Sequence, residues 1–245
     1  MSVYVGSARI DENKNAHGGA AGDQINFEVS TQKWYLHSKG WRVFRAINPE
    51  HAAIIAHEML NACNNPNIGY DQWERNTLYS VAEKVGFDLS KVSEPCETDC
   101  SALVRVCCAA AGINLPLGMN TASMCSELLK TGFFKELTET THTESSDFLR
   151  VGDILVTRTK GHTVVVTETE EREVSNVPTI RKGDKGLAVR IMQTLLATYG
   201  YALEEHGVDG DFGNETFKQV KNFQSDNGLT VDGICGPLTW DALTL

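Results

Sequence analysis

The residues with the clearest chemical potential are a cysteine and a histidine, Cys100 and His162. Cys100 lies in the segment 97–104, where Thr98 or Asp99 could cap a helix that an apolar run then continues. In the first turn of a helix, the dipole and the free amide groups stabilise a thiolate. They can also bind the oxyanion that forms when the thiolate attacks a carbonyl. The position of Cys100 therefore predicts a nucleophile.

A thiol nucleophile needs a base to take its proton, and His162 is the candidate. The sequence predicts a strand over 151–156, a turn over 158–161 and a second strand over 162–167. His162 would then begin a strand directly after a glycine, where an imidazole can face a cleft. A histidine beside valines more often has a structural role, so the residue type alone leaves this assignment open.

Two other catalytic arrangements lack residues that they need. The segment that begins His57-Glu58 looks like the start of a zinc-protease HExxH motif, but Asn61 occupies the second ligand position. These residues are better explained by a helix that begins at Asn48-Pro49. A serine hydrolase would need a GxSxG elbow, and the sequence contains none.

The cysteines do not indicate a metal site or a disulfide framework. There are seven, an odd number with irregular spacing, which favours reduced thiols. Cys96 and Cys100, followed by Cys107 and Cys108, lack the paired CxxC of structural zinc sites, and the last two are expected in the core of a helix. A calcium loop beginning at Asp209 would have valine at its twelfth position, where a bidentate Glu is required. We expect neither a metal nor another cofactor.

Composition predicts a soluble protein with one mid-sized and one small domain. The chain has 245 residues, of which 41% are hydrophobic and 22% charged. No apolar run is long enough for a membrane span, and the first residues lack the pattern of a secretory signal. The net charge is −10 and is negative on both sides of Asn176, which is atypical of nucleic-acid binders. We therefore expect no DNA or RNA partner.

The boundary between the domains is predicted within 167–179, where β-branched residues give way to charged residues and then to Ser, Asn and Pro. After it, a DGxxGxxT-aromatic motif occurs twice, over 209–217 and 232–240. Each copy is typical of a glycine turn that leads into a helix and places an aromatic residue in a core. With an earlier apolar stripe over 187–196, the pattern predicts a small all-α domain of three helices over 179–245.

The C-terminal region resembles the three-helix peptidoglycan-binding domain that accompanies many wall hydrolases. The resemblance rests on Gly183-Asp184, Gln193 with Leu196, Phe223-Gln224 and the two Asp-Gly turns. It implies a domain that binds the bacterial cell wall. Most of the matching residues are expected to serve the fold.

The N-terminal region resembles the NlpC-type cysteine peptidases and the related CHAP amidases of cell-wall turnover. The matching segments are DCSALV at 99–104, GDILV at 152–156 and GHTVVV at 161–166, in the order found in those families. The resemblance implies an α+β, papain-like domain over 1–175, in which a helix-borne cysteine packs on an antiparallel sheet that carries the histidine. It also implies that Cys100 is the nucleophile and His162 the general base.

A looser resemblance relates residues 6–110 to the front part of prophage lysins with this catalytic core. It rests on the glycine-rich segment 17–24, on Trp34 and Trp41, and on the segment 68–72. It implies a substrate groove lined by Gln24, Tyr70, Asp71, Asp99 and Ser101.

Two roles in this site have candidates that follow from the resemblance. Tyr70 is the candidate to stabilise the oxyanion, as a tyrosine upstream of the cysteine does in NlpC-type enzymes. The residue that orients His162 has no counterpart on the following strand. Asp23 is preferred for that role over Glu168 and Asp71.

Together these resemblances imply a peptidoglycan hydrolase of the endolysin kind, with peptidoglycan as both substrate and anchor. The NlpC type favours a peptide bond in the stem near the D-glutamyl residue, and the CHAP type allows the N-acetylmuramoyl-L-alanine amide as the alternative. Such a protein would be made in the bacterial cytoplasm without a signal peptide and would reach the wall through a phage-made pore. The rival interpretation is a non-catalytic wall-binding or virion protein. The sequence leaves the oligomeric state open.

Replacement of Cys100 or His162 by Ala should reduce hydrolysis of purified peptidoglycan by about 10²–10⁴-fold or more, because the nucleophile or its base is lost. Far-UV circular dichroism should show the fold intact. Cys107→Ser is the control, and it should lower stability while the folded protein keeps its turnover. Full activity in either Ala variant would rule out the mechanism.

Overall fold

The structure is a computed structural model that describes residues 2–11, 14–17, 21, 28–159, 161–169 and 178–244. The chain divides into two compact units, Met1–Glu170 and Glu171–Leu245, and each is described by itself. Within the described ranges, no helix is both long and apolar enough to cross a membrane.

The N-terminal unit is built on a six-stranded antiparallel sheet. Its strands are β1 (Val3–Ala8), β2 (Val29–Lys33), β3 (Trp41–Ala46), β6 (Phe134–Leu137), β7 (Ile154–Thr157) and β8 (Thr163–Thr169). They lie in the order β2-β1-β8-β7-β3-β6. Two short strands, β4 (Ile68–Tyr70) and β5 (Cys96–Thr98), form a separate parallel pair. The first and last strands of the unit are therefore neighbours in the middle of the sheet.

The helices of this unit are α1 (Pro49–Asn64), α2 (Thr77–Lys84), α3 (Cys100–Ala110), α4 (Met124–Lys130) and α5 (Thr140–Thr143), with a 3₁₀ helix at Leu89–Lys91. Asn48 caps α1 by accepting a hydrogen bond from the N–H of Glu50 at 2.9 Å, and Pro49 occupies the first turn. His57 is exposed on α1, so the segment that looks like HExxH is ordinary helix, as expected.

The sheet buries apolar side chains on both faces. Along β8, Val165 packs in the larger core that includes α1 and α3, whereas Val164 and Val166 pack in a second cluster with Trp41 and Leu155. Successive residues of a strand point to opposite faces, so a strand buried on both sides needs an uninterrupted apolar run. The valine run after His162 meets this requirement.

The predicted start of the strand before His162 is wrong. β7 begins at Ile154 rather than at 151, because Gly152 has a φ of +87° and forms a turn. A Cβ atom on this glycine would lie 2.3 Å from the carbonyl oxygen of Ala52. Asp153 is buried before the strand, where its carboxylate accepts two hydrogen bonds from Arg45 at 2.8 Å.

The predicted linker also begins too early. β8 continues to Thr169, because Glu168 and Thr169 pair with Tyr4 and Val3 of β1. The remainder of the predicted linker up to residue 177 lies outside the described residues.

The C-terminal unit contains the three predicted helices. They are α6 (Leu187–Thr198), α7 (Asn214–Asp226) and α8 (Pro237–Leu243). Their core comprises Ile180, Val189, Met192, Leu196, Phe212, Val220, Phe223, Cys235, Trp240 and Leu243. The mixed N-terminal unit and the helical C-terminal unit agree with the α+β and all-α classes predicted from the sequence.

A buried glutamine organises each copy of the repeated motif. The Gln193 side chain contacts the Asp209 carboxylate, the Asp211 carbonyl, the Thr216 hydroxyl and the Gly210 N–H at 2.7–3.1 Å. The Gln224 side chain contacts the Asp232 carboxylate, the Ile234 carbonyl, the Thr239 hydroxyl and the Gly233 N–H at 2.8–3.1 Å. The repeated sequence is therefore a repeated hydrogen-bond network.

Gly233→Ala should destabilise the C-terminal unit by about 1–3 kcal/mol. Gly233 has a φ of +74°, and a Cβ atom there would lie 2.2 Å from Cε2 of Phe217. The measurement is hydrogen exchange of the α7 amides in the full chain. Gly236→Ala is the matched control, because this glycine has a φ of −92° and a Cβ atom there would meet no other atom within 4 Å. Equal exchange rates in the two variants would contradict the prediction.

Candidate active site

Cys100 is the first residue of α3, and a cap at Asp99 sets its position. The Oδ1 atom of Asp99 accepts a hydrogen bond from the N–H of Ala102 at 2.6 Å, which satisfies one of the free N–H groups of the first turn. Thr98, the other predicted cap, ends β5 instead. The thiol therefore lies at the positive end of an 11-residue helix.

Arg75 fixes this cap from a neighbouring loop. Its Nη1 atom lies 2.5 Å from Oδ2 of Asp99 and donates to the hydroxyl of Ser101 at 3.2 Å. The Ser101 hydroxyl itself donates to Oδ1 of Asp99 at 2.8 Å, and Arg75 also donates to the carbonyl of Met119. The side chains of Asp99 and Ser101, predicted to line the groove, are buried in contacts with each other and with Arg75. Their structural effect is to hold the start of α3.

The sheet brings the start of β8 to the thiol. The strand β8 packs against α3, and the backbone N–H groups of Thr163 and Ser101 lie close enough to the thiol of Cys100 to oppose the rise in its pKa that burial causes. Thr163 follows His162, so the segments that carry the predicted nucleophile and base meet. Thr163 is itself fixed, because its carbonyl accepts from the Ser7 hydroxyl at 2.7 Å.

His162 closes the turn between β7 and β8. Its backbone N–H donates to the hydroxyl of Thr157 at 3.1 Å, and its carbonyl accepts from the N–H of Thr157 at 3.0 Å. Its imidazole lies beside the rings of Trp41 and His37, with centroids 6.5 and 6.4 Å away. The hairpin therefore holds the backbone of the predicted base, and aromatic rings surround its side chain.

His37 and Tyr35 are site residues that the sequence did not predict. They lie between β2 and β3, where His37 Nδ1 accepts from the N–H of Lys39 at 3.0 Å and the Tyr35 carbonyl accepts from the indole of Trp41 at 2.8 Å. Burial raises the pKa of Tyr35 and the nearby charge of Cys100 adds to the rise, while the charge of His37 adds to the lowering of the His162 pKa that burial causes. This segment contains no recognisable motif. Its aromatic residues are the one feature that could have indicated a place in the site.

Burial dominates the electrostatics of the thiol and the imidazole. It raises the pKa of Cys100 to about 12; the Asp99 carboxylate adds to the rise and the two N–H groups oppose it. Burial lowers the pKa of His162 to about 4, and the charges of Arg9 and His37 lower it further. At neutral pH the site holds a neutral thiol and a neutral imidazole. The thiolate expected from the helix terminus is not the resting form, because desolvation outweighs the amide groups.

Tyr70 ends β4 and pairs with Thr98, two residues before the thiol. Its hydroxyl oxygen accepts a hydrogen bond from Nε2 of Gln72 at 3.0 Å. Burial raises the pKa of Tyr70 to about 12, and the nearby charges of Cys100, Asp99 and Asp71 add to the rise. The phenol therefore keeps its proton and remains a hydrogen-bond donor close to Cys100.

The geometry argues against two of the three candidates for orienting His162. Glu168 is exposed six residues along β8 from His162, about 20 Å away at the rise of an extended strand. The Asp71 carboxylate is used in a turn, where Oδ1 accepts from the N–H groups of Trp73 and Glu74. Asp23, the preferred candidate, and Gln24 of the predicted groove lie outside the described residues.

The cysteines are free thiols, and the two that follow Cys100 in α3, Cys107 and Cys108, are fully buried. Among the residues that the structure describes, no group of three or more His, Cys, Asp or Glu side chains could hold a metal ion. The chemistry that this arrangement offers is attack by a thiol on a carbonyl beside a neutral imidazole.

Curated relatives and solved structures match parts of the chain. It is 34% identical over 94 residues to N-acetylmuramoyl-L-alanine amidase CwlL of Bacillus licheniformis, covering 38% of this chain and 26% of the relative. It is 40% identical over 65 residues to the zinc D-Ala-D-Ala carboxypeptidase of Streptomyces albus G, covering 26% of each protein. A Burkholderia AP3 phage endolysin structure is 39% identical, with a TM-score of 0.26, and covers 27% of this chain and 25% of that chain. The chain thus spans about a quarter of the length of these curated relatives.

Two families match longer segments, one in each unit. Residues 185–243 match the family described as putative peptidoglycan binding domain. Residues 5–173, which include Cys100 and His162, match the family described as endolysin-like domain. Since this second match covers most of the sequence, the chain belongs to the endolysin-like domain family.

Proposed function

We propose that this chain hydrolyses an amide bond of peptidoglycan, with Cys100 as the nucleophile and His162 as the general base. One observation carries the proposal: the helix that begins at Cys100 packs against β8, the strand that directly follows His162, and the N–H of Thr163 lies near the thiol. Membership of the endolysin-like family and the peptidoglycan-binding match of residues 185–243 support a cell-wall substrate.

The architecture supports a papain-like relationship to NlpC-type and CHAP enzymes. α3 carries the cysteine at its first residue and packs on the antiparallel sheet, and the histidine directly precedes a central strand of that sheet. This is the arrangement that the sequence resemblance implies for those families.

Catalysis would begin from the neutral thiol and imidazole. As the Sγ–C bond forms, the proton moves from Sγ of Cys100 to His162, so the buried site does not have to hold a separated ion pair before substrate binds. In this mechanism the N–H groups at the start of α3 and the hydroxyl of Tyr70 would stabilise the oxyanion; their proximity to Cys100 supports this role. His162 then protonates the leaving amine, and water hydrolyses the thioester to regenerate the thiol.

The C-terminal unit would hold the enzyme on its polymeric substrate. Its match to a peptidoglycan-binding family supports this role, and tethering raises the effective concentration of nearby bonds. Peptidoglycan would then be both anchor and substrate.

The bond that we propose is a peptide bond of the stem, following the NlpC-type resemblance. The N-acetylmuramoyl-L-alanine amide is the second candidate, because two relatives carry the name N-acetylmuramoyl-L-alanine amidase, one of them as a probable activity. The two candidates differ in the amine that they release.

Mass spectrometry of fragments released from defined peptidoglycan distinguishes the two bonds. Stem cleavage should produce new free amino groups on diaminopimelate or lysine, because these residues supply the leaving amine. Cleavage at the sugar would instead release intact stems with a new L-alanine terminus. The Cys100→Ala chain is the control and should release neither product. Release of fragments by this variant, or none by the wild type, would reject the proposed function.

Alkylation of Cys100 by iodoacetamide should accelerate about tenfold per pH unit between about pH 6 and pH 9, because a thiol with a pKa of about 12 is never fully ionised in that range. Peptide mass spectrometry measures the rate at this cysteine alone. His162→Gln should leave the slope unchanged. A rate that is constant above pH 6 would instead show that Cys100 and His162 form a thiolate–imidazolium ion pair in the free enzyme.

A further inference from the structure

An exposed aromatic surface that the mechanism does not use lies on the loop before α2. The side chain of Trp73 is 72% exposed, although its indole stacks on the imidazole of His17 with ring planes 3° apart and centroids 4.2 Å apart. The histidine covers one face of the indole, and no other ring of the described residues is stacked on it. A flat apolar surface held in this way can pack against the apolar face of a sugar ring.

The loop 71–76 is held at both ends to the residues that precede Cys100. At one end, the N–H of Asp71 donates to the carbonyl of Thr98 at 3.1 Å, and Asp71 Oδ1 accepts from the N–H of Trp73 at 2.5 Å. At the other end, Arg75 is paired with Asp99. The backbone path from Trp73 through Asp71 and Thr98 to Cys100 crosses one hydrogen bond, so the Cα atoms of Trp73 and Cys100 are at most about 20 Å apart. An extended peptide of about six residues has this length.

The polar residues beside the indole suit a carbohydrate. Gln72 and Glu74 flank Trp73 and are also exposed, so an amide and a carboxylate border the ring. Small-ligand sites combine such an apolar surface with a few polar groups that fix orientation, and sugar hydroxyl and acetamido groups can bond to both side chains. Gln72 also donates to the hydroxyl of Tyr70 at 3.0 Å, which connects this surface to the candidate oxyanion donor.

We propose that Trp73 and His17 form a subsite for a sugar ring of the glycan strand that carries the peptide to be cut. The proposal rests on the proposed hydrolase function and deepens it, since it names a glycan-linked peptide, rather than a free peptide, as the substrate class. Trp73 stacks on the ring, and Gln72 and Glu74 bind its polar substituents.

The test compares Trp73→Ala with the wild-type full chain on two soluble substrates, a disaccharide-linked stem peptide and the same peptide without sugars. The KM for the sugar-linked substrate should rise about tenfold while kcat changes less than about twofold, and the sugar-free peptide should be cut as by the wild type. Trp73→Phe keeps an aromatic face and should restore most of the affinity.

Phe133→Ala is the matched control. Phe133 is an exposed aromatic residue of the same unit, and it also contacts a histidine, His51. It directly precedes β6, which pairs with β3 at Ala46. This is the opposite end of β3 from Trp41, which lies beside His162. Its replacement should leave both substrates unaffected. An unchanged KM in Trp73→Ala, or an equal loss on the sugar-free peptide, would overturn the subsite.

Titration of the Cys100→Ala chain with N-acetylglucosamine oligomers separates this proposal from the hydrolase function. Binding is followed by the protection of the 71–76 amides from hydrogen exchange, because the C-terminal unit is itself proposed to bind peptidoglycan. It should weaken about tenfold when Trp73→Ala is added and should persist when Phe133→Ala is added. If the wild type cuts neither substrate but oligomer binding depends on Trp73, the hydrolase function fails and the subsite stands. If oligomer binding is indifferent to Trp73, the subsite fails whatever the activity.

Discussion

The contact between the start of α3 and the start of β8 is the constraint on which the site depends. Asp99 caps the helix and Arg75 holds the cap, so the thiol of Cys100 is fixed relative to the helix axis. Thr163 supplies the N–H that meets the thiol, and its strand is held between β1 and β7 in the middle of the sheet. Neither the start of α3 nor the hairpin of β7 and β8 could bring Cys100 and His162 together alone. Each is a local structure, and only the packing of the sheet brings the two together.

Burial gives this contact its chemical character. A buried thiolate and imidazolium would each lose several kcal/mol of hydration, and their attraction would have to offset that cost. For this reason burial raises the pKa of the Cys100 thiol and lowers the pKa of the His162 imidazole. Both shifts favour the two neutral groups over the ion pair. In the proposed mechanism a substrate carbonyl would change this balance, because the N–H groups of the helix start would stabilise the developing oxyanion. The proposed mechanism therefore couples proton transfer to the attack of the thiol.

Features set by local pattern could be predicted, and features set by distant contacts could not. The cap at Asp99, the valine strand after His162 and the glycine turns of the repeat all follow from residue types within one turn or strand. The start of β7 was missed because Gly152 and Asp153 belong to a turn that is closed by hydrogen bonds between Arg150 and Asp153, and the Asp153 carboxylate is also held by Arg45, which is far away in the sequence. His37 was missed for the same reason, since only the pairing of the sheet brings its loop to His162.

The duplicated motif of the C-terminal unit separates residues that hold a fold from residues that present a surface. Gln193 and Gln224 have equivalent partners in the two copies, and a buried amide that is fully hydrogen-bonded specifies one loop conformation. Where the copies differ, the side chains face different surroundings. Glu215 accepts hydrogen bonds from the N–H groups of Glu205 and His206, whereas Leu238, at the equivalent position, is 73% exposed. The shared glutamines are committed to the networks, so the two copies present different surfaces at positions such as these.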